Sequence, residues 1–306
     1  MEERILAEIE RMINDYFPVS DLNKLLKRFV RDKSEEGPSL WSELTLCCGG
    51  MLGGDLDRLF SAAAHVELLM LALDIVDDVQ DQDNPDKPWM QCQPAYALQA
   101  ILAFITASVS EIAGSRPAQL PRLLRFIAQA ISGQQRDLNH SVQTEADYIV
   151  MIQEKSASLM NVAVAMGYLQ AAEPPAPETV ARLDELAQYV GIVAQLKNDT
   201  RDLLRPDLKN DLLHKKKTLP VLFLLQHSRE QFPALILFYE GRMDISSFVQ
   251  KKAECLQYIR DSGCLEYARA IQFLFANKAQ QLLQSLEGTS PWKERLIERV
   301  MSVLEV

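Results

Sequence analysis

Asp74-Ile-Val-Asp77-Asp78-Val-Gln-Asp81 is the stretch on which the fold and the chemistry of this chain turn. Residues three and four apart share one face of a helix. Asp74, Asp77, Asp78 and Asp81 therefore form a carboxylate stripe at the end of a mostly apolar helix, His65–Val76. Like charges at this spacing repel, and more so when half-buried. A divalent cation relieves that repulsion. Hard oxygen donors at this density suit Mg²⁺, which takes one or two carboxylates per ion and fills its shell with water and substrate phosphates.

About 120 residues further on stands a second acidic cluster, Gln195-Leu-Lys-Asn198-Asp199-Thr-Arg-Asp202, followed by Asp211-Leu-Leu-His-Lys-Lys216-Lys-Thr218-Leu-Pro. Aspartates on opposite walls, with lysines close by, can hold a diphosphate through bridging Mg²⁺. Lys216 is the best placed basic group and Lys155 a second. Each charge-assisted contact to phosphate is worth roughly 1.5–3 kcal/mol. The same contacts promote departure of the diphosphate by stabilising the charge that develops on it. An allylic substrate would leave a carbocation, and apolar helix faces would line a tunnel for its hydrocarbon tail.

The surrounding chain fits such a site. Its 306 residues are 48% apolar with only 12 glycines, and strand-like alternation is nearly absent. The periodicity predicts an all-α fold of ten or more antiparallel helices in one domain, residues 1–306. Helices are expected at Met1–Phe17, Leu40–Leu52, Asp55–Gln80, Ala95–Ile112, Leu123–Asn139, Val180–Leu204, Met243–Arg260 and Leu265–Leu286, among others. Thr144 with Asp147 predicts a capping box opening one further long helix. The net charge of −10 argues against nucleic acid as a partner. Five cysteines without ligand spacing read as reduced thiols of a cytoplasmic protein. Met1-Glu-Glu-Arg lacks the features of a signal peptide, and no uninterrupted apolar run of about 18 residues predicts a transmembrane segment.

Taken in order, these motifs resemble those of the trans-isoprenyl diphosphate synthases. Asp77-Asp78-Val-Gln-Asp81 matches their DDxxD motif, and Asn198-Asp199-Thr-Arg-Asp202, preceded by Gln195, resembles the second. Asp211-Leu-…-Lys216-Lys-Thr218-Leu-Pro matches DLxxxKxTLP. Gly133-Gln-Gln-Arg-Asp137, Lys155-Ser156, Leu52-Gly-Gly-Asp55 and Ala64-His-Val-Glu-Leu68 fit as well. The resemblance implies that Asp77, Asp78, Asp81, Asn198, Asp199, Asp202 and Asp211 serve the metal, that Lys155, Gln195 and Lys216 bind diphosphate, and that the chain is a homodimer. It also implies a central cavity, and that Ala72 and Leu73 set tunnel depth.

The departures carry equal weight. The basic segment that serves isopentenyl diphosphate in that family aligns with Gly37-Pro-Ser-Leu-Trp41-Ser, without a basic residue. Met70 stands where histidine or glutamine is expected, and Asp86 and Lys87 fall where paired arginines belong. The pattern is similar to one branch, the ComQ-type isoprenyl transferases, on Asp74–Asn84 followed by Trp89-Met90. That resemblance implies transfer of a geranyl or farnesyl group from its diphosphate to a tryptophan of a small quorum-sensing peptide. Two alternatives remain open from the sequence: a short-chain polyprenyl diphosphate synthase, and a non-catalytic regulatory subunit of one.

Overall fold

The structure is a computed structural model that describes residues 2–115, 117–205 and 212–305. Among these the regular elements are helical. In chain order they are α1 (Glu3–Tyr16), α2 (Ser20–Glu35), α3 (Leu40–Gly50), α4 (Leu56–Asp81), α5 (Pro94–Ser115), α6 (Leu120–Leu138) and α7 (Glu145–Ile152). A π-helical turn (Gln153–Ala157) leads into α8 (Ser158–Tyr168), α9 (Pro177–Leu203), α10 (Leu219–Gln231) and α11 (Pro233–Tyr239). The chain closes with α12 (Ile245–Gln250), α13 (Lys252–Asp261), α14 (Cys264–Ser285) and α15 (Trp292–Leu304).

The chain groups into two compact units. The first comprises Met1–Phe126, Asn161–Asp184 and Leu286–Arg299. Its axis is α4, which packs against α1, α3 and α5. A helix enclosed on most sides must be apolar nearly all round, and α4 buries residues Ala62 through Ala72 without a break. Asp55 opens it by accepting a hydrogen bond from the Arg58 amide at 3.1 Å. Gln82, in the left-handed region at φ 55°, ends it just past the aspartates. Ile5, Ile9 and Met12 bring the buried face of α1 to this core, and Phe104 and Ala107 that of α5.

The second unit comprises Ile127–Met160, Glu185–Ser285 and Val300–Val306. One of its apolar clusters gathers Val221, Leu224, Leu235, Phe238, Phe248 and Ile259, with Phe238 and Phe248 stacked at 4.3 Å. Another gathers Tyr148, Ile152, Ala157, Ile192, Leu196 and Leu219 beneath the second acidic cluster.

Several expectations change. The expected helix Met243–Arg260 is two, α12 and α13, broken at Lys251. The long helix opened by Thr144 begins with the expected capping box, but the π turn interrupts it. Two helices, α4 and α5, have the length and apolarity to cross a membrane. Interior burial explains α4, whose apolar window is 72% buried; that of α5 is 44% buried. All five cysteines are free thiols, four of them buried.

Candidate functional site

In the first unit the acidic stripe occupies the last two turns of α4, and its four carboxylates have different surroundings. Asp74 is paired with Lys33 at 3.0 Å. Asp78 is buried, at 8% exposure. Its Oδ2 accepts a hydrogen bond from the Trp89 indole at 2.7 Å, and its Oδ1 one from the Asn84 amide at 2.7 Å. Burial raises the Asp78 pKa, and these two donors oppose that without cancelling it. Asp77 and Asp81 lie one turn apart at intermediate burial. The loop after the stripe holds Asn84 at φ 49°, a conformation asparagine tolerates better than most residues. Trp89, 2% exposed, packs edge-on against Phe29 of α2 at 5.7 Å. Of the residues expected to set tail depth, Ala72 is fully buried in the core and Leu73 only partly buried.

In the second unit, α9 divides its cluster by helical phase. Asn198 and Asp202 share the outer face, where Arg201 donates to Asn198 Oδ1 at 2.9 Å and Arg205 lies 3.4 Å from Asp202. Asp199 points inward and is 4% exposed. The Tyr148 hydroxyl donates to its Oδ2 at 2.6 Å and the Gln195 amide to its Oδ1 at 2.6 Å; Ser156 in turn donates to Gln195 Oε1 at 2.6 Å. Burial dominates and pushes the Asp199 pKa up to about 6, although both donors favour the ionised form. The sign of the linked stability follows. A carboxyl held above its unfolded pKa of about 3.9 binds its proton more tightly when folded. Its contribution is complete below about pH 4 and is lost as pH rises through about 6. Between pH 5 and pH 8 that loss is on the order of 1 kcal/mol. Asp199→Asn, which cannot ionise, should flatten the decline by that amount in urea unfolding curves at the two pH values. An unchanged pH slope would refute the assignment.

Lys155 lies in the π turn. Such turns widen the backbone and recur at functional sites. Two glycines grip this one. A Cβ on Gly133 of α6 would sit 2.2 Å from the Lys155 amide nitrogen, and one on Gly191 of α9 would sit 2.4 Å from Ala157 Cα. Asp137, one turn after Gly133, accepts from Lys155 Nζ at 2.9 Å and lies 3.4 Å from Lys216 Nζ through the same oxygen. Burial alone would raise the Asp137 pKa, but the two lysines outweigh it and lower it. The Tyr239 hydroxyl fixes the Lys216 backbone by donating to its carbonyl at 2.9 Å. Two residues on, the Thr218 hydroxyl is buried with no hydrogen-bond partner among the described residues. A buried hydroxyl in that state is costly unless a ligand completes it. Asp211 lies outside the described residues.

The structure thus brings Lys155, Lys216, Gln195, Asp199, Asn198 and Asp202 into the second unit, and Asp77, Asp78 and Asp81 into the first. No role at the site was expected for Asp137, Tyr148 or Asn84. The motif Gly133-Gln-Gln-Arg-Asp137 marked the position of Asp137 but not its role, which is to hold the two lysines. Tyr148 carried no signal beyond an aromatic in a helix. Among the described residues no three histidine, cysteine or carboxylate side chains converge as a ready-made metal cage. Paired oxygen donors such as Asp77 and Asp81 fit a magnesium-like ion that keeps much of its shell for water and phosphate.

A family model of the polyprenyl synthetases matches residues 23–259. The chain belongs to the polyprenyl synthetase family. It is a prenyltransferase, and the family generally depends on divalent metals. Among curated members, the tryptophan prenyltransferase ComQ of Bacillus subtilis subsp. natto is 29% identical over 97% of this chain and 92% of its own. That of Bacillus spizizenii is 27% identical over 91% and 98%. Among solved structures, a polyprenyl synthase from Caulobacter crescentus, complexed with calcium and isoprenyl diphosphate, superposes with a TM-score of 0.78. It is 20% identical and aligns with 99% of this chain and 94% of its own. The polyprenyl synthetase fold is all-α, as the helical periodicity predicts.

Proposed function

We propose that the whole chain, residues 1–306, acts as one cytoplasmic domain that transfers a prenyl group from geranyl or farnesyl diphosphate to a tryptophan of a small quorum-sensing peptide, with Mg²⁺. The observation that carries the diphosphate half is the pair Lys155 and Lys216, held together on Asp137. Two ammonium groups at one carboxylate oxygen match adjacent phosphate oxygens. The peptide half is supported by similarity to the ComQ proteins along nearly the whole of both chains.

The residues divide the work as follows. Asp77, Asp81, Asn198, Asp202 and Asp211 would hold Mg²⁺, which would neutralise the leaving diphosphate. Asp78 and Asp199 stiffen the two clusters through their protein donors. Lys155 and Lys216 bind diphosphate oxygens as charge builds on them, while Gln195 orients Asp199. The C1–O bond breaks with its electron pair going to the diphosphate. An indole carbon then bonds to C1, and the released diphosphate accepts the proton. Leu73 rather than Ala72 faces the tail, since Ala72 has no exposed surface.

The test is incubation with geranyl or farnesyl diphosphate, Mg²⁺, and either a tryptophan-containing peptide or isopentenyl diphosphate. The expected product is the peptide heavier by one prenyl group, and none from the peptide with tryptophan replaced by phenylalanine. A lengthened prenyl diphosphate as the main product would return the synthase reading. Release of no diphosphate at all would return the regulatory one. We further propose a homodimer whose partner covers the outer face of α5, where Leu98 and Leu102, one turn apart, are 54% and 60% exposed. Exposed apolar residues clustered on one helix mark association. Sedimentation at the mass of one chain would refute it.

A further inference from the structure

Two lysines reach the wall that carries the first aspartate cluster, and carboxylates engage both. Lys33 Nζ lies 2.6 Å from Glu36 Oε2 and 3.0 Å from Asp74 Oδ2. Lys87 Nζ lies 2.5 Å from Glu36 Oε1 and 2.9 Å from Asp32 Oδ2, and 5.3 Å from the Trp89 ring centroid. Glu36 therefore bridges the two, one lysine to each oxygen. The five side chains come from α2, the residue after it, α4 and the loop beyond the aspartates. With two ammonium groups against three carboxylates, the network presents a net negative charge. The lysines are about three-quarters buried, at 22% and 26% side-chain exposure, so neither swings freely toward solvent. The charges of Asp78 and Asp77, which act on Asp74, add further repulsion for an anion.

We infer that Glu36, with Asp32 and Asp74, withholds Lys33 and Lys87 from phosphate, so that this wall admits a diphosphate only in the company of a divalent cation. A second diphosphate, arriving without metal, finds these two lysines already engaged. Glu36 and Asp32 thereby disfavour an acceptor that carries a diphosphate and become determinants of acceptor class. In this last step the inference rests on the prenyl-transfer reading, but its test reads anion binding and not transfer.

Inorganic pyrophosphate and isopentenyl diphosphate, each in EDTA, are titrated calorimetrically into four proteins. The wild type should take up no more than one equivalent, at Lys155 and Lys216. Asp32→Asn/Glu36→Gln, which keeps the shapes and removes two charges, should take up a second equivalent, at least about tenfold tighter than any second event in the wild type, as a released charge-assisted contact allows. Adding Lys87→Gln to that pair should abolish the second equivalent, which separates a freed lysine from mere loss of repulsion. Lys87→Gln alone should bind as the wild type does, because its ammonium is already engaged. Weaker binding by Lys87→Gln alone would overturn the inference, and so would the double variant, melting cooperatively, with no second equivalent. If the double variant fails to fold, the single Lys87→Gln comparison still decides. Failure of peptide prenylation would leave these titrations unaltered.

Discussion

Asp77→Ala and Asp81→Ala should each lower kcat/KM for the allylic donor by about a thousandfold or more, with the fold unharmed. A metal-bound anion site supplies several kcal/mol of charge stabilisation during departure of the diphosphate, and each 1.36 kcal/mol is tenfold in rate. Stability should move the other way. Both residues lie on the α4 stripe at intermediate burial. Removing one relieves like-charge repulsion worth a few tenths of a kcal/mol and replaces a poor helix former with the best. The melting temperature should therefore hold or rise slightly. Asp78→Ala should behave differently. It strands the Trp89 indole and the Asn84 amide, both now bonded to Asp78 at 2.7 Å. A buried donor left unsatisfied costs about 1–3 kcal/mol, so this variant should lose stability as well as rate. Near-normal turnover in Asp77→Ala or Asp81→Ala would remove the stripe from the mechanism.

What was legible in the sequence was what helical periodicity and order encode. The stripe on α4 and the N-terminal capping box of α7 follow from spacings of three and four residues. Where chemistry depends on distant packing, the sequence was silent. The break between α12 and α13 leaves no glycine or proline to mark it. The π turn is imposed from outside, by glycines 22 positions before Lys155 and 34 after Ala157 that permit two helices to close on it. DDxxD-like spacing says nothing about which neighbour turns inward, so the burial of Asp199 and its bonds from Tyr148 and Gln195 are facts of tertiary packing. Lys87 looked like a reduced remnant of an arginine pair. Its engagement by Glu36 and Asp32 is a tertiary fact, since those residues stand 51 and 55 positions away.

Gly133→Ala should be the most damaging conservative change in the second unit. Helix propensity alone favours it: alanine gains about 1 kcal/mol over glycine inside a helix. Packing opposes it. The new Cβ would lie 2.2 Å from Lys155 N and 2.7 Å from both Glu154 C and Lys155 Cα. These are backbone atoms and have no rotamer by which to escape. Relief requires α6 and the π turn to separate, and overpacking of this kind costs typically 1–3 kcal/mol. A net loss of about 1–2 kcal/mol is expected. The larger effect falls on activity. Asp137 lies on the same face of α6 one turn further on, so any separation lengthens its 2.9 Å contact with Lys155. Misplacing a phosphate-binding group by about 1 Å can cost about a hundredfold in rate. The matched control is Gly114→Ala near the end of α5, where, among the described residues beyond its own helical turn, no atom lies within 4 Å of the new Cβ. There propensity acts unopposed, and stability should hold or rise while activity stays unchanged. If Gly133→Ala is as stable and as active as Gly114→Ala, then α6 and the lysine turn do not meet as closely as the glycine permits, and the placing of Lys155 on Asp137 loses its structural basis.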